Sequence, residues 1–147
     1  MTNYLFSYGS NHPAQLEERL GHPVVTIPAV LPGYERVFRG HSRFWSGAGV
    51  ASVEKKRGGH VYGLVCIVTK DDIARMDRFE GVPFAYTREK VTVLVNGEKM
   101  PAAVYVAVSR EFNPPAKDYL KAIARTINTH WRGSNGDRVR PEDIPIR

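Results

Sequence analysis

The stretch Tyr4-Leu5-Phe6-Ser7-Tyr8-Gly9-Ser10-Asn11 places the tightest constraint on this chain. Its aromatic and apolar residues predict a buried strand. Gly9-Ser10-Asn11 stops that strand, and Pro13 opens a helical run over 14–20. A chain that passes directly from strand to helix leaves backbone N–H groups unpaired at the turn, and the helix start adds positive potential there. Such a turn suits a carboxylate or a phosphate. Gly9 carries no Cβ, so a ligand can approach its backbone closely, and Ser10 or Asn11 can cap the helix. On local grounds alone the preferred reading of these residues is an ordinary capped strand–turn–helix that binds nothing.

At 147 residues the chain suits one domain with its own core. The formal net charge of +6 would fit nucleic acid if it were clustered. It is not: Arg36, Arg39 and Arg43 lie near Glu35, and Lys55-Lys56-Arg57 follow Glu54. A solvated basic surface that favours anionic small molecules is therefore preferred to a nucleic-acid groove. Cys66 is the lone cysteine and sits in an apolar run, which makes it a core residue and predicts a reducing compartment. The first residues show no basic segment followed by an apolar run, and the most apolar stretch, 61–68, is too short for a bilayer. These features predict a cytoplasmic protein with no membrane partner.

Further elements follow from pattern and punctuation. Residues 22–32 read as a Pro-rich connector and 33–38 as a strand. Gly47 and Gly49 mark a bend where another backbone or a ligand comes close, followed by a weak strand to Val53. Residues 55–59 read as a polar turn and 61–68 as a doubly buried strand. Thr69-Lys70-Asp71-Asp72 fits a capping box that opens a helix over 71–79, which Gly81 and Pro83 end. Asn96-Gly97 predicts a tight hairpin between strands at 87–95 and 101–108. A third helix is expected over 116–130, with Leu120, Ile123, Ile127 and Trp131 on one stripe and Gly133 at its end. The expected domain covers 1–133, and 134–147 is expected to be an irregular tail that wraps or frays.

The chemistry narrows by elimination of motifs. The five histidines are dispersed, and no C-x-x-C or H-E-x-x-H spacing is present, so no metal or other cofactor is expected. No serine sits in G-x-S-x-G. Glu80 stands out. It shares a helix face with Ile73, Met76 and Asp77, falls at the negative end of the helix dipole, and is flanked by Phe79 and by Val82, Pro83 and Phe84. Both the dipole and the apolar setting disfavour its ionised form, which is how a Glu becomes a general base and then a general acid. The alternative is a structural Glu80 paired with Arg78 or Arg88, or turned to solvent. Asp77 is the competing carboxylate and is expected to be structural.

In combination these motifs resemble the γ-glutamylcyclotransferase-like (AIG2-like) family. The resemblance rests on Tyr8-Gly9-Ser10-Asn11 after the first strand, 49–53, and Met76-Asp77-Arg78-Phe79-Glu80-Gly81 followed by Tyr86 and Arg88. Tyr105 and Tyr119-Leu120 extend it to about residue 120. It implies an α+β fold: a single small mixed β-barrel with about three helices outside and the site at one mouth. It implies an enzyme in which the α-amine of a γ-glutamyl amide attacks its own γ-carbonyl, releasing pyroglutamate and an amine. Glu80 would be the catalytic proton shuttle. Tyr8, Gly9, Ser10, Asn11 and Tyr86 would bind the small-molecule substrate, with its α-carboxylate on the Gly9 and Ser10 N–H groups. Two other readings stay open at this point: a relative that binds such an anion without turnover, and a basic nucleic-acid-binding module.

Overall fold

A computed structural model describes residues 3–9, 13–42, 46–128 and 139–147. Five strands close into a barrel in the order β1 (Asn3–Ser7), β3 (Val50–Val68), β2 (Thr26–Arg39), β4 (Tyr86–Val95) and β5 (Glu98–Ala107), and β5 returns to β1. The closing contact, Leu5 beside Ala103, is parallel, and the other four pairings are antiparallel, so the barrel is mixed. Three helices, α1 (Pro13–Leu20), α2 (Lys70–Glu80) and α3 (Lys117–Asn128), complete the α+β fold.

The two-residue period of β1 serves two cores at once. Tyr4, Phe6 and Tyr8 face a cluster that includes Phe38, Val53, Val65 and Val104 and is sealed by Ile123 and Ile127 of α3. Leu5 faces a second cluster built from Leu16 and Leu20 of α1, Ile73 and Met76 of α2, and Cys66. The buried Cys66 thiol is a core group, and burial pushes its pKa up to about 12.

Local chemistry sets the helix and turn limits. Thr69 and Asp72 form the reciprocal capping box, with the Asp72 N–H on Thr69 Oγ1 at 3.1 Å and the Thr69 N–H on Asp72 Oδ2 at 2.9 Å. Gly81 ends α2 in the left-handed region at φ 68°. Asn96 and Gly97 both take positive φ, the geometry of the tight hairpin between β4 and β5. Gly49 marks a close backbone approach. Its N–H donates to Pro114 O at 2.9 Å, and a Cβ there would fall 1.8 Å from Asn113 O.

Two expectations need correction. Residues 26–32 are not a connector but the first half of the long strand β2, with Ala29 and Leu31 buried opposite Gly63 and Val61. Pro28 and Pro32 lack a ladder donor, yet β2 has a sparsely paired flank, since its pairing with β4 is confined to Val30 opposite Leu94. Residues 55–59 do not end a strand either. They form a bulge within β3, where the register slips from Pro32 opposite His60 to Tyr34 opposite Lys55, and Gly33 and Gly58 supply positive φ. Helix α3 runs from Lys117 to Asn128; the expected positions of His130, Trp131 and Gly133 lie outside the described residues.

Residues 139–147 lie against the barrel. Ile144 is buried in its core cluster, and Val139 packs beside it. The last residue accepts from the Phe38 N–H at 2.9 Å and pairs with Glu35 at 2.8 Å, which holds this segment along β2.

Candidate active site

The end of β1, the start of β3, the end of α2 and the turn before β4 converge on a cavity of about 490 Å³. Tyr8, Gly9, Ala51, Glu80, Tyr86 and Tyr119 all contribute to its wall. Among the described residues lining it, Glu80 is the only carboxylate.

The cap at Gly81 fixes the last turn of α2, and Glu80 is thereby directed inward, with its side chain only 14% exposed. Its ion-pair partner is neither Arg78 nor Arg88 but Arg19 of α1, at 3.8 Å, whose guanidinium also lies 5.2 Å over the Phe79 ring. Arg88 is taken by the other carboxylate of the face. Asp77 accepts from Arg88 Nε at 3.0 Å and Nη2 at 3.3 Å, and from the Tyr105 hydroxyl at 2.8 Å. One helix face thus carries a carboxylate bound into the scaffold and, one turn on, a carboxylate in the cavity.

Three tyrosines meet at Ala51. The Ala51 N–H donates to Tyr119 Oη at 2.8 Å, and its carbonyl accepts from the Tyr86 hydroxyl at 3.1 Å. The Tyr8 hydroxyl donates to the Tyr105 carbonyl across the barrel. Burial first, then neighbouring Tyr119, holds the Tyr8 and Tyr86 phenols well above the usual tyrosine range, and the Glu80 charge adds to this. Burial and then its hydrogen bond to Asp77 do the same for Tyr105. These hydroxyls remain protonated donors at neutral pH.

At the anion-suited turn, Gly9 lines the cavity, and among the described residues nothing accepts from its N–H. Ser10 and Asn11, the other two residues of the expected site at this turn, lie outside the described residues. Among the described residues, no group of three or more His, Cys, Asp or Glu side chains could hold a metal ion. Nor is any helix there long and apolar enough to cross a membrane.

Residues 5–123 match the sequence family Gamma-glutamyl cyclotransferase, AIG2-like. The chain belongs to this cyclotransferase family. The solved structure of a gamma-glutamyl cyclotransferase aligns with 88% of the chain and 80% of its own length, at 23% identity and a TM-score of 0.82. An uncharacterized protein from Homo sapiens aligns over 91% and 83%, at 23% identity and a TM-score of 0.83. An AIG2-like protein from Mus musculus aligns over 95% and 96%, at 18% identity and a TM-score of 0.60. At these identities the likeness establishes the cyclotransferase fold. No curated protein matches the chain.

Arg19 and Tyr119 also line the cavity, and Arg36 stands behind its Tyr8 wall; local pattern assigns none of them a role. The meeting of Arg19 with Glu80 depends on how α1 packs against α2, which no local pattern encodes. Tyr119 entered only as part of the resemblance. Arg36 had a readable signal: it alternates with Tyr34 and Phe38, which face the barrel core. An arginine on the inward face of a strand is unusual enough to mark. Its Nη2 donates to the Tyr8 carbonyl at 2.8 Å and its Nε to the same oxygen at 3.2 Å.

Proposed function

We propose that this chain is a γ-glutamyl cyclotransferase acting on a soluble γ-glutamyl amide. The observation that carries this reading is the placement of Glu80. In a chain of this family, it is the one carboxylate among the described cavity-lining residues, on the same cavity as Gly9, whose N–H has no acceptor among the described residues.

The substrate's γ-glutamyl head would place its α-carboxylate at the Gly9 turn and its α-ammonium toward Glu80. The carboxylate of Glu80 takes a proton from the ammonium, and the freed amine attacks the γ-carbonyl to close a five-membered ring. The new C–N bond forms as the amide C–N bond breaks. Two protons leave the ring nitrogen and two reach the departing nitrogen, with Glu80 as the shuttle, so its carboxylate is regenerated. The products are pyroglutamate and an amine. Because the attack is intramolecular, holding the head folded can supply several kcal/mol of the barrier reduction. The protonated Tyr8 and Tyr86 phenols give the wall hydroxyl character without adding charge.

The test is a panel of γ-glutamyl amino acids, peptides and amines, assayed for released pyroglutamate. Release from at least one member is expected. Binding of panel members without any release would replace the enzymatic reading with that of an anion binder.

A further inference from the structure

Behind the Tyr8–Gly9 turn stands Arg36. The side chain comes from the inward face of β2, and its Nε and Nη2 both close on one acceptor, the Tyr8 carbonyl, while Nη2 also reaches the Tyr62 carbonyl at 3.3 Å. Among the described residues no carboxylate pairs with it. This is unlike Arg39 on the same strand, which forks onto Glu54 at 2.8 and 3.0 Å. A guanidinium set against backbone carbonyls is a cation held in reserve. Desolvation brings its pKa down to about 10, so it is still charged at neutral pH.

The peptide it grips is trans, since the cis bond among the described residues is Val82–Pro83. In a trans peptide the C=O and the N–H point in opposite directions. With the Tyr8 carbonyl pulled toward Arg36, the Gly9 N–H is turned away from it. Gly9 lines the cavity, and that N–H has no acceptor among the described residues.

We propose that Arg36 is the positioning residue and counter-charge of a carboxylate subsite at the Tyr8–Gly9 turn. It sets the plane of the Tyr8–Gly9 peptide so that the Gly9 N–H faces the bound carboxylate, and its charge acts on that carboxylate through the peptide. The inference rests on the proposed reading only in taking the γ-glutamyl head as the natural source of the carboxylate. It requires no contact between Arg36 and substrate.

The experiment compares two ligands on the full chain: L-pyroglutamate, and L-pyroglutaminol, which carries an alcohol in place of the carboxylate. Binding is measured by calorimetry for wild type, Arg36→Met and Arg36→Gln, with the melting temperature of each. Wild type should prefer pyroglutamate. Arg36→Met should weaken pyroglutamate binding by about 10- to 100-fold, the scale of a unit charge acting across one peptide in a partly buried site, and leave pyroglutaminol within about threefold. Arg36→Gln, which keeps a donor to the Tyr8 carbonyl but no charge, should fall between them and serves if the Met variant does not fold. With a turnover substrate the loss should appear in KM more than in kcat. A folded Arg36 variant that keeps the full preference for pyroglutamate, or that weakens both ligands equally, overturns the inference while leaving pyroglutamate release by wild type intact. Arg36-dependent binding of pyroglutamate without any turnover upholds the inference and removes the enzymatic reading. If wild type shows no preference for the carboxylate, the subsite itself is refuted.

Discussion

Asp77 and Glu80 lie one turn apart on α2, and replacing each should fail in opposite ways. Asp77→Ala removes the acceptor of the Tyr105 hydroxyl, and Tyr105 is 5% exposed. Leaving such a hydroxyl unsatisfied costs about 1–3 kcal/mol. The Arg88 pair adds little, about 0–1 kcal/mol, because Arg88 is 42% exposed and regains water. A loss of about 2–3 kcal/mol in a domain of this size should lower Tm by about 5–10 °C. Glu80→Gln gives up an ion pair to Arg19 at 3.8 Å, worth up to about 1 kcal/mol, but also removes a negative charge from a helix C-terminus, which returns about 0.3–1 kcal/mol. Its Tm should stay within about 3 °C of wild type, the scale of a residual 1 kcal/mol. Turnover should move the other way. Glu80→Gln should lower kcat by about 100- to 10,000-fold, the span of general acid–base assistance, while Asp77→Ala keeps most of its activity well below its own Tm. Scanning fluorimetry and pyroglutamate release on both variants decide the matter. A stable Glu80→Gln enzyme with undiminished turnover would refute the assignment, as would an Asp77→Ala protein that remains folded and is as inactive as the Glu80 variant is expected to be.

Two further outcomes test the scaffold. Gly49→Ala should destabilise by about 3 kcal/mol or more, because its Cβ meets a backbone oxygen that cannot rotate away, whereas Gly47→Ala, at φ 81° in open space, should cost only about 1–2 kcal/mol; denaturant titration separates the two. His22 Nε2 lies 2.7 Å from Asp72 Oδ1, and this hydrogen bond, with the one to the Pro23 carbonyl, raises the His22 pKa. Burial pushes the Asp72 carboxyl up, but its bonds from His22 and Thr69 outweigh this and lower it. The pair therefore stabilises fully above the ordinary carboxylate value of 3.8 and below the ordinary imidazole value of 6.5, and fades as pH rises through the raised His22 pKa. Tm of wild type minus that of His22→Gln should be largest near pH 5 and shrink at alkaline pH; a flat difference would contradict the pairing.

What the sequence made legible was chemistry that acts within a few residues. The Thr69–Asp72 box, the Gly81 cap and the Asn96-Gly97 hairpin each depend on contacts closer than one turn, and each is found where the pattern put it. The helical period also placed Ile73, Met76, Asp77 and Glu80 on one face, so the inward direction of Glu80 followed from spacing alone. The misreadings were all long-range. Whether Pro28 and Pro32 interrupt a strand depends on which flank of β2 is paired, and that is decided by β4, some sixty residues on in the pairing of Val30 with Leu94. The 55–59 segment is polar and glycine-rich like a turn, but the strand opposite it runs on, so it becomes a bulge. The partner of Glu80 could not be read either: Arg88 looked available until β5 brought Tyr105 beside Asp77 and completed a set that claims it.

The same long-range geometry matters for the proposed chemistry. A γ-glutamyl head is a zwitterion at its α-carbon, so a site that folds it for ring closure must read two opposite charges a few bonds apart. Here the candidate groups come from separate parts of the fold. Glu80 is delivered by the C-terminus of α2, whereas the Gly9 N–H is delivered by β1 and gripped from behind by β2. Neither group shares a flexible loop with the other. Their separation is therefore set by the β1–β3–β2 ladder and by the packing of Ile73 and Met76 against Leu5 and Leu16. Arg39, which lines the cavity from the opposite face of β2, is neutralised by Glu54, and the Tyr8 and Tyr86 phenols stay uncharged. On the proposed reading a carboxylate would meet the Tyr8–Gly9 peptide that Arg36 grips, and an ammonium would meet Glu80, whose charge is shared with Arg19 at 3.8 Å. Opposite ends of one small molecule would then be drawn to different parts of the wall, and it is this arrangement, rather than any single strong contact, that would bring the amine over its own γ-carbonyl.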